Sequence, residues 1–161
     1  MPMPGFFSLT GKQQGKIEGS CTIQNQEGKI LVQGVDHTIE IPRSIQTGLP
    51  TGKRIHLPLM IIKELDKSSP KLFQALTSGE QLTDAKLEYY LISAQGQETL
   101  YYTVEIKNAI ITSIRKYYPV ALDPNNKSMG HMEEVSFTYE TIIETFTPDG
   151  IEAQDSWTAP K

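Results

Sequence analysis

The chain reads as a mainly β fold with one short α-helix, and three observations carry that reading. Apolar side chains recur at every second position through most of its length, the mark of strands with a buried face. Gly- and Pro-bearing turns separate these runs at strand-like intervals. Only residues 69–78 carry helix start and stop signals around a helical stripe. A chain of 161 residues fits one domain, 1–161, that buries about two-thirds of its unfolded surface.

Residues 51–76 (TGKRIHLPLMIIKELDKSSPKLFQAL) are the stretch around which the rest is arranged. Ile55, Leu57, Leu59 and Ile61 alternate with His56, Pro58, Met60 and Ile62, so the period is that of a strand; the second set is also largely apolar and predicts burial on both faces. Ser69 then reads as an N-cap and Pro70 as the first helical residue, because Pro lacks an amide that would otherwise go unpaired. Gly79 is the stop, and Leu72, Phe73 and Leu76 form the stripe that faces a sheet or the open end of a barrel.

The other elements come in chain order. Residues 6–10 form a first strand, and Gly11, Gly15 and Gly19 break the next ten residues into a surface loop or bulged hairpin; the residues between them are too polar for a bilayer. Cys21 and Ile23 belong to a short partner strand. Residues 29–41 form a long strand with Gly34 at a bulge or close approach. Residues 85–94 and 98–113 make a hairpin about Gln95-Gly96, its second strand extending to about Tyr118. Tyr89, Tyr90, Tyr101 and Tyr102 read as cross-strand pairs rather than a stacking platform, since no basic groove accompanies them. After an irregular loop over 119–133, Val135, Phe137, Tyr139 and Thr141 alternate with polar residues in a half-exposed strand. Pro148-Asp149-Gly150 then turns the chain into a last strand ending near Trp157.

Residues 42–54 (PRSIQTGLPTGKR) hold two prolines and two glycines, which no regular element accommodates. Loops of this length in one domain are usually functional or disordered, and Ile45 and Leu49 need a cover, so a partner contact is expected there ahead of a loop folded back on its own barrel.

Chemistry is harder to find. No phosphate loop, nucleophile elbow, paired-cysteine site or HExxH helix occurs, so the chain is read as a non-enzyme with no cofactor, metal or catalytic residue. His131 with Glu133 and Glu134 reads as loop polarity rather than a metal site. Lys63, Glu64 and Asp66 read as solvation and helix-end electrostatics rather than an acid/base cluster. Net charge is −4 with both signs interspersed, which argues against nucleic acid. No run approaches a membrane span and no signal peptide is seen, so membrane insertion is not expected. The lone Cys21 points to folding in a cytosol.

Taken together, HTIEIP (37–42), TGLPTGKRIHLPL (47–59), KELDKSSPKLFQAL (63–76), NAIITSI (108–114) and EEVSFTYETI (133–142) resemble the haemolysin-coregulated protein (Hcp) family, the tube proteins of bacterial type VI secretion systems. Arg43-Ser44-Ile45 departs from the more acidic start of the family's loop. The resemblance implies a small β-barrel of two antiparallel-rich sheets with the helix at its side. It implies hexameric rings stacked into a hollow tube, expelled by sheath contraction, with effectors carried or chaperoned in the lumen. The partners implied are further copies of the chain, the sheath, spike and baseplate proteins, and secreted effectors. The implied path runs from the bacterial cytoplasm to the extracellular space or a target cell without a signal peptide. The extended loop, Arg43, Ser44, Ile45, Gln46, Thr47, Gly48, Leu49, Pro50, Thr51, Gly52, Lys53 and Arg54, becomes the ring-stacking and subunit interface. Six copies would carry six times −4, about −24, so stacking is expected to strengthen as salt screens the repulsion. A chain ending at Lys161 is expected to be a tube subunit without fused cargo. A phage-like contractile tail tube protein is the nearest alternative reading, and a small-ligand barrel with a pocket at Tyr89, Tyr102 and His56 the more distant one.

Overall fold

In the computed structural model, which describes residues 3–158, the alternating runs become strands and the helical stripe one α-helix. The expected domain end at Lys161 lies outside the described residues. The strands are β1 (Gly5–Gly11), β2 (Gly15–Ile17), β3 (Ile30–Asp36), β4 (Ile39–Glu40), β5 (Ile55–His56), β6 (Leu59–Glu64), β7 (Leu82–Ile92), β8 (Glu98–Tyr117), β9 (Met132–Thr138), β10 (Thr141–Phe146) and β11 (Ile151–Ser156). The helix α1 (Ser69–Ser78) lies between β6 and β7 in the chain and packs on β8.

Strands β8, β7, β1, β3, β6 and β9 are hydrogen-bonded in that order, and β9 pairs back onto β8, which closes a six-stranded antiparallel barrel. Closure pairs both edges of the six barrel strands, which would otherwise recruit foreign strands. Strands β10 and β11 extend the sheet beside β8, and β4 with β5 forms a separate two-stranded sheet. The result is mainly β, a barrel with one helix at its side.

The 20-residue β8 pairs with β7 over 98–109 and serves two further partners, β10 opposite 102–107 and β9 opposite 110–117. Between them Asn108 adopts φ 52, a left-handed conformation that asparagine tolerates better than most residues. Its side-chain amide donates to Glu140 Oε2 at 2.7 Å, which fixes the kink to the start of β10. The barrel interior is filled by Phe7, Leu9, Ile30, Val32, Leu59, Ile61, Leu87, Ile106 and Phe137, all buried, with the Phe7 and Phe137 rings 5.4 Å apart.

Several expectations shift. The strand expected over 55–62 breaks at Leu57-Pro58, because Pro58 has no amide to donate to a ladder. Its phase changes there: His56 is buried while Ile55 and Leu57 are exposed, and beyond the break Leu59, Ile61 and Lys63 point inward. The long strand over 29–41 divides into β3 and β4, and the register slips between Val32 and Gly34 as a bulge. A Cβ on Gly34 would sit 3.3 Å from Ile62 Cδ1, so Gly34 is a close approach as well. Cys21 and Ile23 form no strand; Cys21 only bonds across a turn to Gly28 and Lys29. The closing strand splits at Tyr139-Glu140 into β9 and β10, where the Glu140 amide donates to the Lys107 carbonyl and the Glu140 carbonyl accepts from Trp157.

The helix begins one residue earlier than read, with Ser68 at the N-cap position and Ser69 inside. The Ser69 hydroxyl accepts from the Asp66 amide at 3.0 Å and from Lys63 Nζ at 3.2 Å. Gly79, at φ 68, ends the helix as expected. Its inward stripe is Leu72 and Ala75 with Leu76 beside them; Phe73 is half exposed, with Lys116 Nζ 5.4 Å above its ring. Lys63 is not solvated but wholly buried, bonded to Glu133 and Asp66.

Candidate assembly arm and its root

Between β4 and β5 the chain leaves the barrel, and residues 42–54 form an arm closed by its own hydrogen bonds. Arg43 bridges Pro50, Thr51 N donates to Pro42 O at 2.8 Å, and Ser44 N donates to Leu49 O at 2.9 Å. The Ser44 hydroxyl accepts from the Gln46 and Thr47 amides, and Thr47 Oγ1 from the Leu49 amide. Gly48 turns the tip at φ 73, where a side chain would be strained. These hydroxyls satisfy the local amides, so the arm holds its shape while its apolar side chains stay outside the barrel. Ile45 is 101% exposed and Leu49 65%, and Ile39, Ile41 and Ile55 at the arm's base are exposed as well. Of the twelve residues expected at an interface, Arg43 through Lys53 lie in this arm. Arg54 turns inward and serves the root.

At the root, Arg54 Nε donates to Asp155 Oδ2 at 2.7 Å and its terminal nitrogen to Asp155 Oδ1 at 3.2 Å and Ser156 O at 2.8 Å. This two-point geometry is one a guanidinium makes and an ammonium does not. His56 Nε2 lies 2.8 Å from Asp155 Oδ2, and its Nδ1 lies 2.7 Å from the Tyr139 hydroxyl, which in turn lies 3.0 Å from His37 Nε2. With neutral rings one proton arrangement satisfies all of these contacts: His56 Nε2–H donates to Asp155, Tyr139 donates to His56, and His37 Nε2–H donates to Tyr139. Trp157 caps the relay, its ring 5.4 Å from His56 at 24° and 5.2 Å from Tyr139 at 76°. Burial, with Glu144 and Asp155 adding to it, holds the Tyr139 phenol far above its ordinary range, so it stays a donor. Burial also lowers His37, against the opposing pull of Glu144.

Sequence reasoning missed this root, because its partners lie 83 to 102 residues apart in the chain. The histidines that lack ligand spacing along the sequence meet on one phenol in space. His131 is elsewhere, 4.9 Å from the Tyr118 ring, and its neighbours diverge: Glu133 points into the barrel while Glu134 pairs outward with Arg115. Among the described residues no three His, Cys, Asp or Glu side chains converge as a metal would need, and no helix is long and apolar enough to cross a membrane.

A cavity of about 430 Å³ opens beside the root between β3, β7, β8 and β10, lined in part by Tyr89, Tyr102, His37 and Glu144. It meets the tyrosines of the expected ligand pocket, with His37 in the place expected for His56.

Comparison with known proteins places these features. Residues 6–146 match the family described as "Type VI secretion system effector, Hcp". The "Major exported protein" of Pseudomonas aeruginosa is 40% identical, the match covering 99% of this chain and 98% of the relative. A crystal structure of an Hcp protein superimposes with TM-score 0.91 at 28% identity, covering 98% of this chain and 99% of the other. Hcp1 of Escherichia coli superimposes at 0.85 and 33% identity, covering 97% and 99%, and the secreted protein Hcp3 of P. aeruginosa at 0.77 and 33%, covering 95% and 99%.

Proposed function

Since the chain belongs to the Hcp family of type VI secretion proteins and is a structural subunit of the hollow secretion tube, built as hexameric rings and exported, we propose that the arm over residues 43–53 is the element that joins one copy to the next. The observation that carries this is Ile45, wholly exposed at the tip of an arm whose base is pinned by Arg54 to Asp155. A fixed base spares the arm much of the ordering entropy that a mobile loop loses on binding, and covering Ile45 and Leu49 removes their apolar surface from water. In this reading Arg54 positions the arm, and the remaining residues form the contact.

The same reading extends to partners. The tube is surrounded by a sheath, tipped by a spike and built on a baseplate, and effectors ride in its lumen. The subunit starts in the bacterial cytoplasm and is exported through the type VI apparatus to the surroundings or a target cell. Its work is mechanical rather than catalytic.

The test is light scattering at two salt concentrations, with electron microscopy of concentrated protein. A mass near six times 18.0 kDa, about 108 kDa, is expected for the ring. The paired substitution Ile45→Asp and Leu49→Asp should keep that mass and abolish longer stacks. Stacks that survive it would move the interface away from the arm, and a monomer at every wild-type concentration would overturn the ring itself.

A further inference from the structure

Beside the arm's root, the cavity between β3, β7, β8 and β10 has a lining of unusual sign. Val32, Val35, Leu59 and Val104 give it apolar walls, Tyr89 and Tyr102 give it aromatic ones, and the exposed Glu144 completes its lining. The two tyrosine rings lie 5.9 Å apart at 67°. No lysine or arginine lines it, and among the described residues no cation forms an ion pair with Glu144.

Glu144 is electrostatically central to the cavity. Burial first, and then its carboxylate, raise Tyr89 to about 12 and push Tyr102 upward, so both phenols stay neutral and keep their donors. His37 is held below the ordinary imidazole range by burial, so near neutral pH it contributes an uncharged ring instead of a competing cation. The cavity therefore presents one negative charge, aromatic faces and an apolar bore.

Each ligand class can be tried against that lining. An anion meets Glu144 and no basic side chain. A neutral apolar ligand covers the carboxylate without replacing its water. A cation on an apolar stem satisfies all three features, with the charge at Glu144, the aromatic faces beside it and the stem between the valines.

We propose that this cavity is a binding site for an alkylammonium group, with Glu144 as its counter-ion and Tyr89 and Tyr102 as its aromatic walls. A volume of about 430 Å³ admits an amine of roughly five carbons, within the size range of small-ligand pockets. That chemistry is shared by free amines and by the lysine side chain of a protein, and the cavity recognises the group they have in common. The proposal does not rest on the arm or on ring stacking.

Saturation-transfer NMR on the full-length protein tests it, with n-pentylamine, 1-pentanol and Nα-acetyl-lysine methylamide as probes. Pentylamine is expected to bind, with pentanol at least about tenfold weaker, and Glu144→Gln should weaken the amine by about the same factor. Glu144 is exposed, so its amide variant should keep the fold; Tyr102→Phe, which removes a phenol donor beside the carboxylate, should weaken the amine a few-fold. Binding of the lysine derivative on a par with pentylamine supports the site with a protein side chain as its source. Binding of pentylamine alone supports it with a free amine. Pentanol binding as well as pentylamine, unchanged amine binding in Glu144→Gln, or no amine binding at all overturns the proposal. The mass of the same samples reports ring assembly separately.

Discussion

Lys63 Nζ lies 3.2 Å from Glu133 Oε1, and both side chains are wholly withdrawn from solvent where β6 and β9 face each other. The ammonium also reaches Asp66 Oδ1 at 3.1 Å and the Ser69 hydroxyl at 3.2 Å, which ties the start of α1 to the barrel wall. Glu133 Oε2 has no hydrogen-bond partner among the described residues.

Breaking this pair should cost more than replacing it. Lys63→Met strands the wholly buried Glu133 carboxylate, while Asp66 keeps its bonds to Ser68 and Ser20, and is expected to lower stability by about 3–5 kcal/mol. The joint change Lys63→Met and Glu133→Leu, which removes both buried charges, should recover much of that loss. Urea unfolding of the single and double variants measures it; a double variant as unstable as the sum of its parts would show that the pair is not coupled.

Gly19 offers a second test. A Cβ there would lie 2.5 Å from Lys29 O and 2.7 Å from Ile30 Cα, both backbone atoms that cannot swing aside. Gly19→Ala should therefore destabilise the fold by about 1–3 kcal/mol. Gly96→Ala meets no neighbouring atom, so its cost should come from the left-handed backbone at φ 78 alone. Thermal unfolding of the two variants separates crowding from backbone strain.

The elements that were legible in the sequence are those whose signals are local. Pro70 and Gly79 bracket the helix whatever packs on it, Gly96 turns the long hairpin, and two prolines with two glycines keep 42–54 irregular. The buried charges are written in the strand phase too: Lys63 follows Leu59 and Ile61 by twos, and Glu133 precedes Val135 and Phe137 by twos. Charge argued for solvent and register argued for the core, and register prevailed because each charge finds the other there. No such rule would have found the relay at the arm's root. His37, His56, Tyr139 and Asp155 come from four different strand ends, and pairing between distant segments is not written in any one of them.

His37 makes the fold sensitive to acid. Burial holds its folded-state pKa below the ordinary 6.5, so the unfolded chain binds the proton more readily than the folded one. Stability then rises with pH across this window; on acidification it falls as the pH passes the unfolded value near 6.5 and levels below the lowered folded value. Glu144 and Asp36 oppose the shift and His56 adds to it, which keeps the slope modest. Unfolding measured from pH 7 downward should show a shallower decline for His37→Gln than for the wild type. Parallel curves would place the acid sensitivity elsewhere.

Arg54 is the residue on which the arm's attachment turns. Its side chain is largely buried, and its fork holds both Asp155 oxygens and the Ser156 carbonyl, so β11, the arm and the His56 relay share one anchor. Arg54→Ala takes the guanidinium away from Asp155 and should cost about 2–4 kcal/mol, since a carboxylate that loses its guanidinium in a partly dry site is only partly rehydrated. Arg54→Lys should retain the charge but not the two-point grip, and recover less than half of the loss. The more telling readout is protection of the arm amides: if Arg54 positions the arm, hydrogen exchange at residues 43–53 should speed up in both variants while the β7–β8 core stays protected. Exchange that speeds up equally in arm and core would mean that Arg54 serves global stability, and that the arm's order comes from its own hydroxyl–amide bonds.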